Sequence, residues 1–297
     1  MKRFLLITML GLAAATGAQA ASVLDSAEAL WKFDAADSGA VSAAQITDSN
    51  NSHDATSTTQ TGSASLNWTT SPAVGPGSLD AVDVFTDHGR ALEFNAAAET
   101  SGGSSAGYTV SGFKTTGSAT IATRFRWDGN VASSLSWLYS NGNAVNGWLL
   151  GINGNQISHY QHTTTYHTIP GSLPNLTLGT WYDLAVVIRD DVESAQATDT
   201  FTFYLFPAGD HLYTQTVDRG TLFVDTTTTG NTLVGGESLG TGTGNQTKGF
   251  SGAVDYIAIW DTALTDAQVR SLLIPTPAAL PAGLMLIGLT AMRRRRH

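Results

Sequence analysis

Trp137, Tyr139, Trp148, Tyr160 and Tyr166 crowd the middle of a 297-residue chain. Aromatic rings stack on the flat faces of sugars, while neighbouring hydroxyls and amides fix orientation. These five are therefore the candidate carbohydrate-binding residues. The same residue types also fill cores, and the sequence leaves both readings open. Other patterns with chemical potential are weaker. His159, His162 and His167 lie close in sequence, but zinc needs ligands that meet at one point. In an extended strand His159 and His162 fall on opposite faces. Residues 103–107 (GSSAG) fit the G-x-S-x-G pattern. A nucleophile elbow needs a buried strand before it and a helix after it, and neither flank supplies one. Asp48, Asn50, Ser52 and Asp54 keep the alternate spacing of an EF-hand loop. His53 stands where that loop needs its sixth-position glycine and Thr59 where it needs its closing glutamate, which excludes the motif.

The segments that would position these residues are mostly strands. Residues 29–35 (ALWKFDA) alternate Leu30 and Lys32 against Trp31 and Phe33. Residues 89–95 (GRALEFN) put Leu92 and Phe94 on one face as a core pair. Residues 118–128 alternate most cleanly, with Ile121, Thr123, Phe125 and Trp127 opposite Ala122, Arg124 and Arg126. Strands at 134–140, 147–152 and 156–162 follow, and Asn153-Gly154 predicts a type I′ hairpin turn. Residues 252–260 alternate Ala253, Asp255, Ile257 and Ile259 with Val254, Tyr256, Ala258 and Trp260. Bulk on both sides predicts a strand covered on both faces. Thr265 and Gln268 then form a capping box ahead of Val269, Leu272 and Leu273, which predicts a short helix.

Composition narrows the function classes. Only 13% of residues are charged and there is no cysteine, so disulfides, thiolate metal sites and cysteine nucleophiles are excluded. Residues 1–20 carry a basic start (Lys2, Arg3), an apolar run and an Ala-x-Ala exit, the pattern of a secretory signal peptide cut after Ala20. At the other end an apolar stretch from Ala278 to Met292 precedes Arg293, Arg294, Arg295 and Arg296. Four arginines there would hold that end on the cytoplasmic side. Setting aside those four with Lys2 and Arg3 leaves nine basic residues of the 15 against 24 acidic ones, a balance of −15. Such a surface argues against nucleic acid, whose phosphates need a basic stripe.

Taken in order, these segments resemble laminin-G-like, concanavalin-A-like sandwich domains. Phe33-Asp34 is similar to the end of that family's opening strand, and residues 48–54 (DSNNSHD) to its Asp-Ser-Ser-Gly-Asn loop. Residues 89–94 resemble Gly-x-Ala-Leu-x-Phe, and Ala119-Thr120-Ile121 approximates the start of Thr-Ile-x-x-Trp. Residues 179–187 resemble Gly-x-Trp-His-His-Val-Ala-Val-Val, with Tyr182 and Asp183 in place of both histidines. Leu233-Val234-Gly235-Gly236 and the strand from Gly252 to Ile257 match the family's closing motifs. The likeness covers about residues 29–273. It implies an all-β, antiparallel jelly-roll β-sandwich with its first and last strands side by side. A short C-terminal helix and a separate hydrophobic tail helix complete that expectation. The expected organisation is a signal peptide at 1–20, a sandwich domain at 21–273 and a sorting or membrane segment at 274–297.

The resemblance also carries functional expectations. Such sandwiches often hold calcium through oxygen ligands, and Asp34 and Asp255, on the terminal strands, are the candidate metal ligands. Glycosidases of this fold use Glu-x-Asp-x-Glu on one strand. That run does not occur, and the nearest acidic cluster, Asp190-Asp191-x-Glu193, lies in a turn. No catalytic residue is therefore assigned. The tail, with Pro275 and Pro277 ahead of the apolar stretch and Arg293–Arg296 behind it, resembles the PEP-CTERM class of bacterial sorting signals. Ile274 and Thr276 depart from its Val-Pro-Leu-Pro-Ala variant. This likeness implies an exosortase-type processing enzyme as a partner, transient membrane contact, and the surface or matrix of a Gram-negative-type bacterium. The expectation is a secreted, non-enzymatic protein binding polysaccharide or a surface protein. A glycoside hydrolase or lyase with its acids on separate strands, and a purely structural adhesin, are the alternatives.

Overall fold

The computed structural model describes residues 23–33, 39–50, 53–60, 65–69, 90–95, 106–113, 115, 117–129, 135–141, 148–161, 165–168, 173–190, 199–207, 211–218, 231–235 and 249–273. The N-terminal segment before residue 23, Asp34, and the whole tail from Ile274, including Pro275, Pro277 and the four arginines, lie outside the described residues. So do residues 162–164, with His162.

Two antiparallel sheets form a sandwich. The larger has nine strands among the described residues. It contains β1 (Ala29–Lys32), β2 (Gly39–Ala40), β4 (Ser65–Thr69), β5 (Ala91–Asn95), β7 (Ala119–Trp127), β12 (Trp181–Arg189), β13 (Thr200–Pro207), β14 (Tyr213–Asp218) and β16 (Gly252–Trp260). The smaller has seven: β3 (Ser57–Gln60), β6 (Ala106–Ser111), β8 (Leu135–Asn141), β9 (Trp148–Asn153), β10 (Gln156–Gln161), β11 (Thr165–Thr168) and β15 (Asn231–Val234). The mostly-β sandwich with a short C-terminal helix is the one the sequence predicts.

The inter-sheet core draws the inward residues of both layers. Trp31, Phe33, Leu92, Phe94, Ile121, Phe125, Leu184, Val186, Phe201 and Phe203 come from the larger sheet. Tyr108, Leu138, Tyr139, Leu150, Ile152, Ile157 and Val234 come from the smaller. The alternations read from residues 29–33, 89–95 and 118–128 therefore hold. Strand β12 is buried from Trp181 to Ile188 because its outer face is covered as well. Over Ala185 and Val187 that cover is α1 (Asp266–Leu273), which lays Val269, Leu272 and Leu273 on Ala122, Ala185, Val187, Tyr256, Ala258 and Trp260. Its cap forms as expected: the Gln268 N–H donates to Thr265 Oγ1 at 3.3 Å and the Thr265 N–H to Gln268 Oε1 at 2.9 Å.

β16 organises the larger sheet. One edge pairs with β7; the other is shared, with β5 along Gly252–Val254 and β1 along Tyr256–Ile259. Asp255 sits at the seam as a β-bulge, and its carbonyl accepts the Phe33 N–H at 3.3 Å. The bulge breaks the simple alternation expected here. Val254 turns inward with Ile257 and Ile259, while Tyr256, Ala258 and Trp260 face outward. One extra residue in a strand exchanges the faces of everything beyond it. A second difference is the β9–β10 hairpin. Asn153 pairs with Gln156, so the two turn residues are Gly154 and Asn155, one position later than predicted. Gly154 takes the required positive φ of 64°.

Candidate functional site

The seven-stranded sheet carries the five aromatic candidates on adjacent strands. Trp137 and Tyr139 are in β8, Trp148 in β9, Tyr160 in β10 and Tyr166 in β11. They do not share one face. A bulge between Trp137 and Tyr139 pairs Trp137 with Gly151 but Tyr139 with Leu150. Trp137 therefore lies outward against Leu149, and its ring occupies the space a Cβ on Gly151 would need. Tyr139 lies inward in the core, 1% exposed, with Thr232 Oγ1 at 3.5 Å from its hydroxyl. Burial pushes its phenol well above the ordinary range, and the Thr232 hydrogen bond partly offsets that. Tyr139 is thus a core residue, a correction to its assignment as a sugar-stacking group. Trp137 is also 1% exposed. Tyr160 is the register partner of both Leu149 and Tyr166, so their backbone positions continue the row begun by Trp137. Trp148 pairs with Asn141 and Gln161.

His159 belongs to the core too. Its ring stacks on Phe201 at 4.6 Å and lies 5.6 Å from Phe203. The residues of the EF-hand-like stretch serve structure instead. The Asp48 carboxylate accepts the N–H groups of Leu30, Asn50 and His53 at 2.8–3.0 Å. The Asp48 N–H itself donates to Asp54 Oδ1 at 2.8 Å. This ties the loop beside β1, where the His53 carbonyl accepts Trp31 Nε1 at 2.8 Å.

Asp255 lies on the outer face of the nine-stranded sheet, beyond the area covered by α1. Its carboxylate is 3.9 Å from Arg124 Nη1, with both side chains 5% exposed. Asp183 is the register partner of Arg124 on the next strand and is also buried. The Arg124 guanidinium lies 5.7 Å from the Trp181 ring centroid and that of Arg126 5.8 Å, a cation–π arrangement. Arg126 also pairs with Asp128 at 2.6 Å and Glu93 at 3.2 Å, and its hydrogen bonds to Asp128 raise its pKa. A carboxylate facing a guanidinium is already charge-compensated. Calcium there would lie against Arg124 and would need six to eight oxygen ligands, so Asp255 fits an ion pair better than a calcium shell. Among the described residues no group of three or more His, Cys, Asp or Glu side chains could hold a metal ion. Sequence reading missed this cluster, although Arg124 and Arg126 on one face of a strand were its visible half.

A family model described as the concanavalin A-like lectin/glucanases superfamily matches residues 100–270, more than half of the chain. The chain belongs to this superfamily. Strands β1 to β5 precede the matched residues yet pair into the same two sheets. Solved structures similar to parts of this chain include the Ruminococcus gnavus IT-sialidase CBM40 bound to alpha2,3 sialyllactose. It is 16% identical, with 54% of this chain and 84% of that one covered and a TM-score of 0.40. The NanB sialidase of Streptococcus pneumoniae is 16% identical, covering 53% of this chain but 24% of its own, with a TM-score of 0.38. A protein of unknown function from Shewanella oneidensis MR-1 is 15% identical, covering 71% and 81%, with a TM-score of 0.41. No curated protein matches the chain in sequence.

Proposed function

We propose that the chain is an exported, non-enzymatic surface or matrix protein that binds carbohydrate or a surface partner through the outer face of its seven-stranded sheet. The observation that carries this reading is membership of the concanavalin A-like lectin/glucanases superfamily across residues that include β8 to β11. The register positions of Leu149, Tyr160 and Tyr166 form a row across β9 to β11, beginning next to Trp137. Trp137 is the support, packed on Gly151, and Tyr160 and Tyr166 are the proposed stacking residues; Trp148, one position before Leu149 in β9, is not part of that row. The proposed route to the surface uses residues 1–20 for export and the tail for sorting by an exosortase-type enzyme, with Pro275, Pro277 and the four arginines as its signal.

A glycan array probed with the mature chain, with and without calcium, tests the binding. Binding to defined polysaccharides that falls about tenfold or more in Tyr160→Ala and Tyr166→Ala is the expected result, tenfold being ~1.4 kcal/mol. An array blank under both conditions would leave a structural adhesin as the better description. Release of reducing sugar from the same polysaccharides would overturn the non-enzymatic assignment in favour of a glycoside hydrolase or lyase. A calcium requirement that survives Asp255→Asn would place the ion elsewhere than on Asp255. Intact mass of the exported chain reads both processing sites.

A further inference from the structure

Both ends of the described chain meet on one face of the sandwich. At the start, Val23, Leu24 and Ala27 are buried against the outer side of the nine-stranded sheet. Trp260 Nε1 fixes them by donating to the Val23 carbonyl at 2.9 Å, and Asn50 Nδ2 donates to the carbonyls of Leu24 and Ala27 at 3.1 and 3.0 Å. At the end, α1 stops at Leu273, which is 1% exposed and packed in the same cluster. Little chain separates these anchored points from the apolar terminal segments. Only Ala21 and Ser22 stand between the predicted cleavage point and Val23, and only residues 274–277 between Leu273 and the apolar run that begins at Ala278.

Four residues reach at most about 14 Å when fully extended. The helix layer is about 10 Å thick and stacked sheets are about 10 Å apart. The outer face of the seven-stranded sheet therefore lies roughly 20 Å beyond the layer from which the tether leaves. Turning that face toward a bilayer would require the tether to pass around the sandwich, farther than four residues can span.

Resting on the reading of the tail as a membrane segment, we infer that its insertion turns the α1-covered face toward the lipid surface. The outer face of the seven-stranded sheet is then held away from the membrane. The short tether imposes this orientation. The exposed side of α1 carries Asp266 paired with Arg270 at 2.7 Å and offers no basic patch to anionic headgroups. The two ends support each other here, because Val23 and Leu273, the outermost described residues, pack on the same face. The domain can therefore fold while either end is still in the bilayer.

The absence of cysteine makes a direct test available. Single substitutions Ala267→Cys on α1 and Ser111→Cys on the far sheet, both at exposed positions, are labelled with one fluorophore in the tail-bearing chain. Each is reconstituted into phosphatidylethanolamine–phosphatidylglycerol vesicles doped with a headgroup-quencher lipid. The expected result is flotation of both with the vesicles and quenching at position 267 several-fold greater than at position 111. Inserting a Gly/Ser segment of ~20 residues after Leu273, whose mean span is about 25 Å, should shrink that difference. Equal quenching at both positions, or a difference that survives the longer linker, would overturn the tether-imposed orientation while leaving the tail reading intact. Failure to float would remove the membrane reading and this inference with it.

Discussion

Tyr108 shows how single residues set the stability of this core. Its ring meets Trp31 and Phe33 edge-on at 6.0 Å, and its buried hydroxyl has no hydrogen-bond partner among the described residues. An unsatisfied buried hydroxyl costs on the order of 1 kcal/mol or more. Tyr108→Phe is therefore expected to stabilise the fold by about 1 kcal/mol in urea unfolding. Burial raises the phenols of Tyr108 and Tyr139 above their ordinary pKa. A group raised on folding contributes stability that is whole below its unfolded pKa, ~10 for tyrosine, and is lost as pH climbs from there through the folded value. The protein should weaken above pH ~10, and Tyr139→Phe should flatten that slope. Gly151 is the opposite case. A Cβ there meets the Ser136 carbonyl and the Trp137 ring, so Gly151→Ala is expected to cost roughly 1–3 kcal/mol. At Asp255, replacement by Ala removes a buried carboxylate that faces the Arg124 guanidinium and should cost roughly 3–5 kcal/mol. Differential scanning calorimetry checks both.

At the scale of elements, α1 is a lid stapled by its cap and its apolar stripe. Thr265→Ala removes the reciprocal cap and should cost about 1 kcal/mol. Leu272→Ala, at 1% exposure, should cost about 2–5 kcal/mol; equilibrium denaturation separates the two. This helix was legible because a capping box followed by Val269, Leu272 and Leu273 is a local signal. The strand at 118–128 was legible because its alternation is unbroken. The two bulges were not. Nothing in the local sequence marks Leu138 or Asp255 as an extra residue; the pairing strands create each bulge, and a period-2 reading carried past it assigns the wrong face. That is why Tyr139 was grouped with Trp137, and Asp255 with Ile257 and Ile259. The charged cluster was illegible for a related reason, since Arg124, Asp183 and Asp255 meet only through the register of three strands distant in sequence.

At the scale of the whole molecule, the first strand pairs with the last and the last touches three others. Contacts between chain ends are slow to form because loop closure precedes any gain. A chain ended at residue 248 lacks β16 and α1. It is expected to show no cooperative unfolding transition and to be digested by protease under conditions the full chain survives. The ordering has a further consequence. A polypeptide whose central plank is laid last has its larger layer unfinished while it is being made. It stays pliable enough to be drawn through a narrow pore until nearly its final residues, and then sets in one step.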